Sequence, residues 1–480
     1  MVHRFATGSK PLSIDHKVMN TPPATLEEAL TLLKQGRVSA TELVEYSLRR
    51  IHQKDVDFHA FITVTKDEAM EHADLIDQQR KNGEDLGMLA GIPIAHKDIF
   101  FTNNIRTTAG SKAFSEFKPD VDAIAVQILK ESGAISLGKT NCHEFSFGSP
   151  SAEDFFPAAR NPWNPEHMPG SSSSGSATAV GIGFCYAATG SDTGGSIRHP
   201  AAASGLVGMK PTQNVIPVEG LIPLAPSLDT VGVLTRNVRD NLIVLCAMTG
   251  ADDYQPFLDG LQLQLNDLKI GVDVDHWQDS SVTMEVRTAF IEALEILKAL
   301  GALIVPINLP DIKNIAEVAS KIINFEAYKQ LDPFYTHQRD LMGSGLIQKL
   351  KTASGVKEVD YTAALLQSED FTQGLNHLFD LSNLERVDVI VSIGREAPAE
   401  TMASLMANPL GARSSCNRLY SLTGHPAMTI PMGFASNGMP LAIQFAGNFH
   451  DEYLLYQVAH AFETKIHCLK DRLDIPWMSV

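Results

Sequence analysis

Five cysteines stand in 480 residues (Cys142, Cys185, Cys246, Cys416 and Cys468), an odd number with no C-x-x-C pair. That scarcity excludes a disulfide framework and a zinc site built on paired thiols, and predicts reduced core thiols. Positive charge is short as well: 39 Lys+Arg face 56 Asp+Glu, a formal net charge of −17. Such a surface repels phosphate backbones and anionic lipid, so neither nucleic acid nor a membrane is expected as a partner. Long apolar runs are missing. The longest weakly polar run, Ala177–Gly190, is too short and too rich in Thr and Gly to span a bilayer. Met1–Lys10 carries no apolar signal-peptide core. Together these absences predict a soluble cytoplasmic protein.

What is present is ordinary for a folded chain: 44% hydrophobic and 20% charged residues. Length alone suggests roughly three domains at about 150 residues each, yet no repeat, heptad array or compositional break marks a boundary. Residues 1–24 read as an irregular polar leader ending in Thr21-Pro22-Pro23. Two capping boxes follow, Thr25 with Glu28 and Ser39 with Glu42, each opening a helix. Strand patterns fall at 61–65, 91–98, 134–137, 270–274, 303–307, 387–392, 427–431 and 441–445. Helical patterns separate them, notably at 66–81, 122–132, 286–300 and 452–466. That alternation predicts an α/β fold: one large domain over 25–480 with a central mixed sheet wrapped by helices. The polar, helical stretch 311–385 is expected to be a cap or variable insertion.

One motif misleads. Gly133-Ala134-Ile135-Ser136-Leu137-Gly138-Lys139-Thr140 fits a phosphate-binding loop letter for letter. Such a loop must follow a strand and open a helix. Here a helix precedes it and its interior is itself a strand pattern, so a helix stop followed by a strand is the better reading. His143-Glu144 begins like a zinc-protease motif, but residue 147 is Phe and the second ligand is lacking.

Two small-residue stretches carry more. Gly170-Ser171-Ser172-Ser173-Ser174-Gly175-Ser176-Ala177 could be a flexible linker, but the apolar run Ala177–Phe184 that follows is not one a linker needs. Gly190-Ser191-Asp192-Thr193-Gly194-Gly195-Ser196-Ile197-Arg198-His199-Pro200 places consecutive backbone N–H groups at Thr193–Ser196, the makings of an oxyanion hole. Ser196 ends that turn, where a nucleophile belongs. The hydrolase elbow G-x-S-x-G does not fit, because residue 198 is Arg. No Ser-His-Asp pattern supplies a base. Lys97, ending the apolar stretch Gly91–Asp98, is a nominee, since burial among neutral partners lowers a lysine pKa. The alternative is a lysine in a surface ion pair.

These three pieces together resemble the amidase signature family. Its pattern is G-G-S-S-G-G-S-A, then G-[ST]-D-T-G-G-S-[IV]-R-x-P, preceded by G-I-P-[IV]-x-x-K-D. Here they stand at 170–177, 190–200 and 91–98, with Ser196 following Ser172 by 24 residues. Further similar stretches extend the resemblance over roughly residues 25–465, Gly138-Lys139-Thr140-Asn141 among them. The resemblance implies a Ser-cisSer-Lys triad: Ser196 as nucleophile, Ser172 after a cis peptide bond as proton relay, and Lys97 as base. It implies an oxyanion hole of the Thr193, Gly194, Gly195 and Ser196 N–H groups. Ser173, Asp192 and Arg198 would support the site, the latter two by shaping the loop. It also implies an acyl-enzyme, amide hydrolysis with carbamates and aryl esters as further substrates, a small-molecule partner, and no metal or organic cofactor.

The sequence departs from the pattern at Ser171 and Ser174, where the family has Gly, so strained dihedrals or a shifted loop are expected there. His143 stands where Asp is frequent. Within the family, two readings compete: a free-standing amidase, and the glutaminase subunit of a tRNA-dependent amidotransferase. The latter carries an acidic residue where this chain has Ser414 beside Arg413, and an arginine-bearing G-T-Y element that 335–360 lacks. The free-standing reading is preferred. The acyl pocket is expected from 147–156, 322–335 and 402–420, and to be mainly apolar with few charges.

Overall fold

Val389-Ile390-Val391-Ser392-Ile393 buries every residue, as a strand covered on both faces must. In the computed structural model, which describes residues 21–151, 154–407 and 415–466, that segment belongs to a single eleven-stranded sheet. The strands are β1 (Phe61–Val64), β2 (Pro93–Lys97), β3 (Ile135–Thr140), β4 (Ala187–Asp192), β5 (Val207–Lys210) and β6 (Thr230–Thr235). They continue as β7 (Lys269–Val272), β8 (Leu303–Pro306), β9 (Val389–Ile393), β10 (Ala427–Phe434) and β11 (Pro440–Ala446). Their spatial order is β1-β3-β2-β4-β6-β5-β10-β11-β9-β7-β8. β3, β2 and β4 are mutually parallel, as are β9, β7 and β8, and the remaining pairings are antiparallel. The sheet is mixed, as expected, and helices wrap it.

Three central strands were not among the expected ones: β4 (Ala-Ala-Thr-Gly-Ser-Asp), β5 and β6. The small residues of β4 read as loop, while β5 (Val-Gly-Met-Lys) and β6 (Thr-Val-Gly-Val-Leu-Thr) are short apolar runs interrupted by glycine; all three are buried along their length, with helices Ser174–Ile182 and Arg198–Ser204 packed directly on them. Small side chains are what permits that approach.

Local chemistry explains the termini. Ser39 and Glu42 form both bonds of a capping box, whereas Thr25 caps Glu28 N–H but the Glu28 carboxylate turns to the Ala24 N–H instead. Of the expected leader, residues 1–20 lie outside the described residues. Its end is tied down: Tyr186 Oη donates to the Pro23 carbonyl and Arg236 to that of Ala24. The deceptive glycine motif resolves as read. Gly133 (φ +81°) ends the helix Ile124–Glu131, and Gly138 is glycine because a Cβ there would meet the Thr63 carbonyl of β1. The strand runs on to Thr140, so Lys139 is inside the sheet, donating to Phe100 O and Thr107 Oγ1 at 2.6 Å beside Asp98.

Stretch 311–385 forms helices Ile312–His337, Ser344–Ala353 and Glu358–Phe379. Ile315, Ala319 and Ile322 pack with Phe371, Leu375 and Ile390 of β9, which binds these helices to the sheet's own core. Among the described residues no helix is long and apolar enough to cross a membrane.

Candidate active site

β2 is buried at every position and delivers Lys97 at its end with no exposed surface. Its Nζ donates to Ser172 Oγ at 2.7 Å and Ser191 Oγ at 2.8 Å, and forms no ion pair among the described residues. The surface-lysine alternative is thereby set aside. Burial among neutral hydroxyls carries the Lys97 pKa down to about 8, against the partial pull of Cys142, Asp229 and Asp192. Ser191 was not singled out from the sequence, although it fills the [ST] position of the G-[ST]-D element.

Ser172 is held by the loop before helix Ser174–Ile182. The Ser171–Ser172 peptide is cis, and the Ser172 carbonyl accepts the His143 N–H at 3.1 Å. Ser173 ties the loop to its neighbours: its N–H reaches Ser196 O and its hydroxyl Ser191 O, both at 3.4 Å. Of the strained dihedrals expected at Ser171 and Ser174, left-handed backbone does not occur. Neither has a positive φ, and Ser174 simply opens the helix. Close approach is borne instead by Gly170 (φ +90°), against Pro200, and by Gly175, where a Cβ would collide with the Ala60 carbonyl and the Asn141 amide. Both obstacles are backbone. Gly175→Ala is therefore expected to lower the urea midpoint by an amount worth about 3 kcal/mol or to prevent folding, whereas Ser171→Gly changes stability by under about 1 kcal/mol.

Asp192, ending β4, organises the next turn. One oxygen accepts the Gly195 N–H at 2.8 Å and the other the Ile197 N–H at 3.2 Å, while Arg198 Nη2 and Nε close on the same carboxylate at 2.9 and 3.0 Å. Arg198 also reaches Gln444 and Ser421, each at 2.8 Å. Burial pushes the Asp192 pKa up, but Arg198, Lys210 and the Gly195 N–H outweigh it and hold it near 2. Asp192→Asn leaves Arg198 buried without its counter-charge, and should cost about 3–5 kcal/mol by urea unfolding at pH 7. Because the folded pKa lies below the unfolded value, this stabilisation is complete above about pH 4 and fades toward pH 2. The gap between wild type and variant should close over that window.

The same geometry corrects one expectation. The Gly195 N–H is taken by Asp192, so the N–H groups without an internal acceptor, among the described residues, are those of Thr193, Gly194 and Ser196. Gly195 (φ +111°) shapes the turn, since a Cβ would sit 2.7 Å from that of Asn417. Thr193 Oγ1 donates to Asp229 at 2.6 Å, and burial raises the Asp229 pKa to about 6.

Ser172, the Thr193–Ser196 turn and half-buried Ser196 line one cavity of about 260 Å³. The expected segments each contribute, through Phe147, Ile323 with Asn324, and Arg418. Lys349 and Thr352, from helix Ser344–Ala353, were not foreseen. Nor is the lining mainly apolar: His143, Ser320, Asn324, Lys349, Thr352 and Arg418 outnumber Phe147, Leu224 and Ile323. Of the aromatics in those segments only Phe147 lines the cavity among the described residues, and Phe334 packs instead against Phe114 and Phe145. His143 is kept neutral, its pKa near 3 from burial and from the charges of Lys349 and Lys97. Arg413 and Ser414 lie outside the described residues.

The family model described as Amidase matches residues 42–456. Among curated proteins, a glutamyl-tRNA(Gln) amidotransferase subunit from Thermosynechococcus vestitus is 34% identical over 92% of this chain and 97% of its own. Its counterpart from Synechococcus is 33% identical over 92% of this chain and 96% of its own. Among solved structures, the peptide amidase of Stenotrophomonas maltophilia is 27% identical at a TM-score of 0.80, over 92% and 96% of the two chains. The corresponding glutamyl-tRNA(Gln) amidotransferase subunit from Thermotoga maritima is 29% identical at 0.77, over 92% and 95%. This chain belongs to the amidase signature family.

Proposed function

We propose that the protein hydrolyses an amide carbon–nitrogen bond of a small organic substrate through an acyl-enzyme on Ser196. The observation that carries this reading is the 2.7 Å contact from the fully buried Lys97 amine, which forms no ion pair among the described residues, to Ser172 Oγ, which shares a cavity with Ser196. Neutral Lys97 accepts the Ser172 proton as Ser172 takes that of Ser196, and Ser196 Oγ bonds to the carbonyl carbon. The N–H groups of Thr193, Gly194 and Ser196 receive the oxyanion. The relay then returns the proton to the departing nitrogen, which leaves as an amine, and water cleaves the ester by the same path. Carbamates and aryl esters fit this chemistry. Four buried free cysteines accord with a cytoplasmic setting.

The curated relatives support a second reading, the glutaminase subunit of an amidotransferase. A free-standing enzyme is favoured because no carboxylate among the described residues lines the cavity to receive the ammonium of glutamine. Product release from an anilide, an aliphatic amide, a carbamate, an aryl ester and glutamine tests both. Turnover of anilide or carbamate by the isolated protein supports the free-standing enzyme. Activity on glutamine alone, or only with partner proteins added, overturns it.

A further inference from the structure

The cavity wall contributed by Lys349 and Arg418 carries two cationic side chains, and among the described residues no carboxylate lines the cavity beside them. Lys349 comes from helix Ser344–Ala353 and Arg418 opens helix Arg418–Leu422. Lys349 Nζ rests 5.4 Å from the centre of the Phe147 ring and forms no ion pair among the described residues. Arg418 spends one nitrogen, Nη1, on Ala316 O and Ser320 Oγ, both at 2.9 Å, and its other donors have no acceptor there. The one carboxylate whose charge raises the Arg418 pKa, Glu396, does not line the cavity, and one of its oxygens accepts the Cys416 N–H. Burial lowers the Lys349 pKa to about 8, and the charge of Arg418 adds to the shift.

Two cations brought together away from water repel each other and lose hydration. An arriving anion reverses both penalties, and a carboxylate matches the planar donors of a guanidinium. From this geometry we infer that Lys349 and Arg418 form a subsite for a substrate carboxylate, so the preferred substrates are amides that carry a carboxylate and no ammonium group. Monoamides of dicarboxylic acids have that chemistry. Glutamine does not, since its ammonium would meet the same two cations. The inference rests on reading this cavity as the amide-binding site.

Binding to Ser196→Ala protein, which cannot form the acyl-enzyme, tests it by titration calorimetry with succinamate and its neutral methyl ester. Succinamate is expected to bind at least about tenfold more tightly at low salt, the preference shrinking as ionic strength rises. Lys349→Gln should bring the ratio of the two affinities near one, and Lys349→Glu should favour the ester. Equal affinities in the unsubstituted pocket overturn the inference, and so does a preference that survives both Lys349→Gln and Arg418→Gln. The salt series needs no further substitution, so a variant that fails to fold does not remove the test. Wild type that cleaves the neutral ester's amide but shows no carboxylate preference keeps the proposed reaction and sinks the subsite. Carboxylate preference without cleavage of any amide does the reverse.

Discussion

Ser196→Ala should abolish acyl transfer, with kcat falling by on the order of 10⁴-fold or more on any amide the wild type cleaves. Removing a nucleophile from a unit that acts together costs nearly as much as removing the whole unit. What makes the result diagnostic is that stability should hardly move. The Ser196 side chain makes no hydrogen bond among the described residues, and the residue is only half-buried in the cavity. A urea midpoint equivalent to wild type within about 0.5 kcal/mol, beside the lost turnover, is the expected pair. Retained anilide or carbamate turnover would place the nucleophile elsewhere. Ser172→Ala should behave differently, because it also strips the Lys97 amine of one of its two hydroxyl partners.

The second large effect belongs to Lys97. A base must be unprotonated to accept, and burial sets its pKa at about 8. The acylation rate should therefore climb about tenfold per pH unit below that value and level off above it. Lys97→Met keeps the stem's volume and removes the amine, so it should cost about 10³-fold or more and erase the limb near pH 8. Its effect on stability runs the other way. The folded lysine titrates below its unfolded value of 10.5, so between about pH 8 and 10.5 the unfolded chain binds the extra proton. Stability then falls as pH drops through that window and stays lower beneath it. At pH 7 the methionine variant should be the more stable protein, by up to about 3 kcal/mol less the lost hydroxyl contacts. A rate profile with no inflection near 8, or a methionine variant that keeps its turnover, would remove Lys97 from the role of base, and a less stable variant would overturn the burial penalty alone.

The proposed catalytic residues were legible chiefly through the resemblance, which alone supplied Ser172, while the residues by themselves left Lys97 open to a surface reading. A lysine ending a short buried strand and a turn with Gly194 and Gly195 before a serine were the features that drew attention to Lys97 and Ser196. The sheet was legible where strands are long, branched and apolar, as in β9, and illegible at β4, where Ala, Gly, Ser and Thr look like loop until helices are packed on them, and at the short glycine-interrupted β5 and β6. The pocket was least legible. Lys349 sits in Gln348-Lys349-Leu350-Lys351, a pattern any solvated helix face would show. Only the placement of helix Ser344–Ala353 against Phe147 distinguishes Lys349 from Lys351, which stays exposed. Gly195 shows a finer limit: its type was readable, but its N–H went to Asp192, a choice set by a side chain three positions earlier.

The parallel block β3, β2 and β4 ends its strands side by side, and Lys97, His143 and the Asp192–Ser196 turn all hang from those ends within residues 93–196. The cations of the cavity wall come from residues 349 and 418. The proposed reacting groups thus come from one stretch of the chain, whereas the cavity wall draws on that stretch, through His143 and Phe147, and on the later one as well. Substitutions at 349 and 418 would therefore change the charge of the cavity wall without touching the strand ends that carry Lys97 and the Asp192–Ser196 turn.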